Sequence, residues 1–253
     1  MSTINVVKIG GKIAENEEWL AEFLNAFHQL KGSKILVHGG GVLASKISEK
    51  LGIQTQMLEG RRITDSDTLD VVTMVYGGLI NKKLVARLQA IGQDAIGLTG
   101  ADLNIIQSDK RNPFPVDFGW VGDINTVDVD WLKTFMEHGV VPVIAPLTHN
   151  KQGDLLNTNA DNIAGYLAIE LAKRYDVELT FCFDRPGVMY NEDLLTMLTF
   201  EEYDQFKQDD VIVDGMIPKL DLGFYALQNE VKKVRVSHFS DLLLQKEGTD
   251  LVL

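Results

Sequence analysis

Apolar positions along the chain fall into two alternating patterns. Short β-rich runs occupy 4–9 (INVVKI), 33–38 (SKILVH), 94–99 (DAIGLT), 140–147 (VVPVIAPL), 177–183 (VELTFCF) and 231–237 (VKKVRVS). Several are apolar at successive positions, as strands covered on both faces are. Between the first two, Trp19, Leu20, Phe23, Leu24, Phe27 and Leu30 recur at spacings of three and four, which predicts an amphipathic helix over 17–32. Thr64-Asp65, an N-cap-type pair, opens a helical stretch that runs toward Gly92 with Gly77 and Gly78 inside it. Residues 159–173 and 218–229 also read as helices, the second with Pro218 in its first turn. This alternation predicts an α/β fold, with right-handed crossovers and helices on both faces of a mainly parallel sheet. The sequence shows no internal repeat, low-complexity tract or long linker.

Glycines cluster where strands end: Gly10-Gly11, Gly39-Gly40-Gly41, then Gly97 and Gly100. In an open α/β sheet the ligand crevice lies beyond those ends, and glycine lets backbone N–H groups approach an anion. Three clusters in equivalent positions favour phosphate binding over tight turns alone. The chain has neither GxxxxGK followed by Ser or Thr nor a GxGxxG after a strand, so Walker-type and dinucleotide-binding readings fail. His38-Gly39-Gly40-Gly41 has the look of an esterase oxyanion loop, but no GxSxG nucleophile elbow exists to serve it.

Isolated polar residues at element ends remain. Lys8 lies in an apolar strand just before Gly10-Gly11, as a solvated edge residue or as an ammonium aimed at a phosphoryl group. Asn157, Asn159 and Asp161 precede a helix with more polarity than a cap requires. Lys219 stands at another helix start, where the dipole disfavours a cation, a local conflict of the kind found at functional sites. Arg61-Arg62 suits a carboxylate or a solvated turn equally. His38 reads as a hydrogen-bonded structural histidine and Cys182 as an inert core thiol. Trp19, Trp120 and Trp131 read as packing residues, and 208–210 as a solvated acidic loop.

Composition narrows the class. The 253 residues are 45% apolar and 24% charged, enough to bury a core without disulfides or a structural metal. One cysteine cannot pair internally, which fits a reducing compartment, and no run approaches a membrane span or a signal peptide. Thirty-six acidic against twenty-four basic residues leave a net charge of −12, which argues against general nucleic-acid binding. A soluble cytoplasmic enzyme is the expectation.

Taken in order, these fragments resemble the amino acid kinase family almost end to end, and within it the branch acting on N-acyl-L-glutamate. Residues 8–11 (KIGG), 37–41 (VHGGG), 60–65 (GRRITD), 98–102 (LTGAD) and 119–123 (GWVGD) echo family segments. So do 157–161 (NTNAD), 184–189 (DRPGVM) and 214–219 (DGMIPK). The resemblance implies an open αβα sandwich, with a lobe for the acylated amino acid and phosphoryl group at 1–175. An ATP lobe at 176–253 would share the same continuous sheet. The implied reaction is ATP-dependent phosphorylation of the side-chain carboxylate of acetyl- or succinyl-glutamate, a step of arginine biosynthesis. By similarity, Lys8, Lys219 and Asp161 are catalytic, and Gly10, Gly11 and Gly40 bind phosphate. Gly40, Gly41, Arg61, Arg62, Asn157 and Asn159 bind substrate, while Asp184, Gly187, Val188, Met189, Val211 and Val213 face the nucleotide. Mg²⁺ would take its ligands from phosphate and water. Arg61 stands where the family usually has an apolar residue, which leaves it free for a second carboxylate. The first strand starts almost at Met1, which favours a homodimer without arginine control over the arginine-inhibited form. The alternatives are a sibling kinase on another carboxylate, such as carrier-protein-bound aminoadipate, and a non-catalytic regulator; the joint presence of Lys8, Asp161 and Lys219 speaks against the regulator.

Overall fold

A computed structural model describes residues 3–58, 60–209, 211–212 and 216–253. Among these, the six β-rich runs all enter one eight-stranded sheet. Its order is Met197–Thr199, Thr249–Val252, Lys233–His238, Val177–Phe183, Ile4–Ile9, Ser33–His38, Val141–Ile144 and Ala95–Leu98. Neighbours are parallel throughout except Lys233–His238 and Thr249–Val252, which run antiparallel. The sheet therefore continues without a break across residue 175.

Side chains alternate between two cores, as the period of two requires. Ile4, Val6, Ile35, Val37, Leu179 and Phe181 join one, under helices Ala160–Ala172 and Ile217–Gln228. Val7, Ile9, Leu36 and Val143 join the other, with Phe23 and Phe27 of helix Glu17–Gln29. The result is the three-layer sandwich that doubly covered strands demand. Each fully buried Phe contributes about 2–3 kcal/mol of transfer free energy.

The first long helix stops at Gln29, three residues before the expected end. Lys34 supplies the reason: its ammonium donates to the carbonyls of Phe27, His28 and Leu30 at 2.9, 2.7 and 2.9 Å. These are the last-turn acceptors that an α-helix leaves unpaired, and a cation there also suits the dipole. The stretch after Thr64-Asp65 is helical but not uniform. Asp65 caps Ser66–Val72, a π-helical segment follows over Thr73–Ile80, and Asn81–Ala90 completes it. The wider turn places Tyr76 and Ile80 together against Gly40, where a Cβ would collide with both.

The run 140–147 divides between two sheets. Its chain leaves the main sheet after Ile144, and Leu147–His149 joins a second sheet ordered Leu155–Asn157, Leu147–His149, Ile106–Lys110, Gly122–Val127. Trp131 is about half exposed rather than packed, its ring tilted against Phe135 on the outer side of helix Asp130–Glu137. Gln208 ends helix Phe200–Gln208 rather than lying in a loop, Asp209 caps it, and Asp210 lies outside the described residues.

Candidate active site

Lys8 follows Val6 on the face that carries helix Ala160–Ala172, one residue before the strand ends, between Val37 and Phe181 of the flanking strands. Asp161 opens that helix, its N–H accepted by the Asn159 cap at 2.7 Å. The Lys8 ammonium lies 2.7 Å from one oxygen of Asp161, and the Lys219 ammonium donates to the other at 2.9 Å. Lys219 comes from the first turn of helix Ile217–Gln228, so the three groups converge from three elements. All are largely buried. Burial alone would push the Asp161 carboxyl up, but the charges and hydrogen bonds of the two ammoniums reverse this and hold it at about 2. For Lys8, burial and the neighbouring Lys219 outweigh Asp161 and lower its pKa from the ordinary 10.5.

The two glycine loops lie side by side above this cluster's strand. Gly39 N–H donates to Ile9 O at 3.0 Å, and a Cβ on Gly11 would sit 3.4 Å from the Gly40 backbone. Gly11–Glu15 and Gly41–Lys50 start here with glycine caps and no side-chain cap bond, so their first N–H groups are available to an anion. Gly10 has open space beside it. The loops form one wall of a cleft of about 310 Å³. Lys8, Asp161, Asn157, Asn159, Arg61 and Arg62 line it as well.

Arg62 is buried on the short hairpin strand Arg61–Ile63. Its guanidinium donates to Gly41 O and Ser45 Oγ at 2.8 Å and to Thr55 Oγ1 at 3.2 Å, which fixes the fork beside the second glycine loop. Asn157 Nδ2 donates to Thr64 Oγ1 at 3.0 Å across the same cleft. Arg61 is exposed on the cleft wall and makes no ion pair among the described residues.

The proposed nucleotide residues lie apart from this cleft's walls. Asp184 accepts from Lys12 at 2.7 Å, tying the loop to the helix after the first glycines. That hydrogen bond, against mild burial, lowers the Asp184 pKa. Gly187 and the core residue Val188 press on Thr249, Met189 is half-buried, and Val211 is exposed. Val213 lies outside the described residues.

His38 and Cys182 are the structural residues they were read to be. His38 is fully buried between Gly39 O and Asn81, and burial holds its pKa down to about 4. Burial likewise pushes the Cys182 thiol up to about 12. Neither is a proton carrier at neutral pH. Sequence reasoning missed Tyr76, Ser45, Thr55 and Arg111. Tyr76 and Arg111 line the cleft, and Arg111 pairs with Asp123. Tyr76 is buried, which raises its pKa, while the Arg62 charge and hydrogen bond oppose the rise. A tyrosine in an apolar helical stretch carries no signal of such a role.

The sequence model of the amino acid kinase family matches residues 3–238. A curated acetylglutamate kinase of Parabacteroides distasonis is 48% identical over 98% of this chain and 99% of its own. Another, of Bacteroides thetaiotaomicron, is 49% identical over 97% of each. The solved structure of smu.665 from Streptococcus mutans UA159 superposes with a TM-score of 0.83 at 26% identity, covering 98% of both chains. With glycine loops, buried charge cluster and whole-chain likeness in agreement, the chain belongs to the amino acid kinase family.

Proposed function

We propose that this protein transfers the γ-phosphoryl group of ATP to the side-chain carboxylate of an N-acyl-L-glutamate, giving ADP and the acyl phosphate, as a step of arginine biosynthesis. The observation that carries the reading is Asp161 bridging Lys8 and Lys219 inside a glycine-lined cleft that also holds Arg62 and Asn157. A carboxylate is already ionised at neutral pH, so attack on phosphorus needs no base, in keeping with a His38 held neutral. One carboxylate oxygen forms the new P–O bond while the bond to the departing ADP oxygen breaks, and no proton moves. Catalysis is then alignment and charge neutralisation.

Lys8 stabilises the phosphoryl group in transit and Lys219 the departing phosphate oxygen, while Asp161 aims both ammoniums. Gly11 and Gly40 offer N–H donors to the phosphoryl oxygens, and Gly10, whose own N–H donates to Cys182 O at 3.4 Å, leaves open space beside them. Arg62 binds the α-carboxylate, with Gly41, Asn157 and Asn159 around the acylated amine. Asp184, Gly187, Val188, Met189, Val211 and Val213 form the nucleotide side, within a 176–253 lobe facing the substrate lobe at 1–175. Mg²⁺ would come with ATP on phosphate oxygens and water: both Asp161 oxygens are engaged, and no cluster of three metal-binding side chains occurs among the described residues. A cytoplasmic homodimer accompanies this reading. Among the described residues, no helix is long and apolar enough to cross a membrane.

Hydroxamate trapping of the acyl phosphate, with acetyl-glutamate, succinyl-glutamate and free amino acids as acceptors, tests the assignment. ATP-dependent hydroxamate with an acyl-glutamate is the expected result. Hydroxamate only with another carboxylate, or none at all with ATP still bound, would replace it by a sibling kinase or a regulator.

A further inference from the structure

Thr249 is fully buried at the start of strand Thr249–Val252, and the phosphoryl chemistry makes no use of it. Its hydroxyl accepts from Val188 N–H at 2.8 Å and donates to Leu195 O at 2.6 Å. Leu195 N–H in turn donates to Val188 O at 3.0 Å. One side chain thus joins both ends of the segment 188–195. A Cβ on Gly187 would come within 2.6 Å of the Thr249 hydroxyl and 3.0 Å of its nitrogen, so the loop seats on Thr249 only because residue 187 lacks a side chain.

Thr249 is itself held from behind. Lys246 and Glu247 N–H donate to the two oxygens of buried Asp241 at 3.1 and 2.9 Å. Buried Arg235 donates to Glu247 O at 2.9 Å and to Asp250 at 2.6 Å, and a Cβ on Gly248, at φ +133°, would come within 3.0 Å of the same guanidinium. The anchor is therefore rigid on its own side, and its two hydroxyl bonds are directed at the loop.

We propose that Thr249 is a positioning residue for loop 184–190, setting nucleotide affinity by holding that loop in its binding form. The inference rests on the assignment of this loop to ATP. Without the hydroxyl, Val188 N–H and Leu195 C=O lose their partner, and the loop must be ordered by the nucleotide itself, which weakens binding.

The test is steady-state kinetics and MgADP calorimetry on the full chain with Thr249→Val, Thr249→Ser and Met189→Asp. Thr249→Val is close in shape and deletes both bonds. It should raise KM for ATP and Kd for MgADP about 5- to 30-fold, the range set by one or two lost buried hydrogen bonds. The kcat at saturating ATP and the KM for acyl-glutamate should stay within about twofold, since a positioning role acts on nucleotide binding alone. Thr249→Ser should restore nucleotide affinity, and amide exchange at Val188 should quicken in the valine variant and recover in the serine one. If the valine variant does not fold, Thr249→Cys keeps the volume, weakens both bonds and carries the same expectation at smaller amplitude. Unchanged nucleotide affinity in Thr249→Val while Met189→Asp weakens it would overturn the inference and leave the loop assignment standing. If neither substitution affects nucleotide binding, the loop assignment fails and the inference with it. A fall in kcat together with a rise in KM for both substrates would overturn the inference and make Thr249 merely structural.

Discussion

Asp161→Asn changes the shape of the site least and its charge most. The substitution leaves the helix cap intact, because Asn159 bonds the backbone N–H of residue 161 rather than its side chain. What disappears is the negative charge that bridges two ammoniums at 2.7 and 2.9 Å, in a carboxylate only 8% exposed, and Lys8, itself 8% exposed, is the ammonium most deeply stranded. Removing one partner of a buried ion pair costs about 3–5 kcal/mol, because the other charge is stranded. Lys219 retains some access to water, so the lower end, about 3 kcal/mol, is expected. Urea unfolding at pH 7 measures it. The same variant should lose about 100-fold or more in kcat, because neither ammonium is then aimed at the phosphoryl group.

The pH dependence follows from the carboxyl held at about 2 against an ordinary 3.8. A depressed folded-state pKa contributes stability that is complete above about 3.8 and fades as pH falls through about 2, here about 2 kcal/mol from this group. Lys8 acts with the opposite sign. Its lowered pKa means that the charged form opposes folding at neutral pH, by an amount that Asp161 limits. The gap between wild type and Asp161→Asn should therefore be level from pH 7 to pH 5 and narrow below about pH 4. A variant within about 1 kcal/mol of wild type that turns over at a near-normal rate would refute the reasoning.

Lys8→Met and Lys219→Met should each lower kcat by roughly 100-fold with little change in KM, since their charges act best on the transition state; normal turnover in the hydroxamate assay would remove either from the chemistry. Arg62→Leu should raise KM for acyl-glutamate by at least about tenfold while leaving KM for ATP alone, as the loss of a charged hydrogen-bonding partner does. Gly40→Ala should lower the melting temperature and the activity together, because the new methyl must displace Tyr76 and Ile80 on the π-helical segment; thermal denaturation at wild-type midpoint would show that the segment yields freely. Arg61→Leu should reduce discrimination in favour of succinyl- over acetyl-glutamate by at most about fivefold, because an exposed guanidinium contributes about 0–1 kcal/mol to a pair with the distal carboxylate, and a preference for acetyl in wild type, unaltered by the substitution, would take Arg61 out of the acyl pocket.

The main sheet was legible because its strands are covered on both faces and keep apolar residues at successive positions, as in Val6-Val7, Ile35-Leu36-Val37 and Phe181-Cys182-Phe183: 4–9, 33–38 and 177–183 have the same bounds in sequence and structure. The second sheet was not. Gly122–Val127 offers only Ile124 and Val127 to the core among polar and exposed residues, and Leu147–His149 is hidden inside a run that continues from the main sheet. Its sequence marker is Pro146, which cannot donate to a ladder. The π-helical segment escaped because over eight residues its wider period differs too little from 3.6 to shift the apolar spacing, and Gly77-Gly78 add no side chains to mark it. In the candidate site, the charged residues were visible as polar groups where apolar ones belong. Their helpers were not, since Ser45 and Thr55 act on Arg62 from 17 and 7 residues away and look like ordinary helix and turn residues.

A chain with net charge −12 must still bring together anions, and the placement of its charges accounts for this. Lys8 and Lys219 against their shared Asp161 leave one positive charge beside the cleft, Arg61 and Arg62 add two more on its walls, and the glycine-started helices add backbone N–H groups without any side chain. The acidic excess lies elsewhere, in exposed carboxylates such as Glu18, Glu22, Glu49 and Asp70, while Glu17, Asp130, Glu137 and Asp176 are paired with exposed lysines and arginines. Surface pairs of this kind contribute about 0–1 kcal/mol and are screened within about a Debye length, so they neither stabilise the fold much nor reach the cleft. The buried positive groups are screened far less. Local sign, not net charge, therefore decides what enters, and an extended polyanion meets repulsion over most of the surface while a small anion meets attraction at one point.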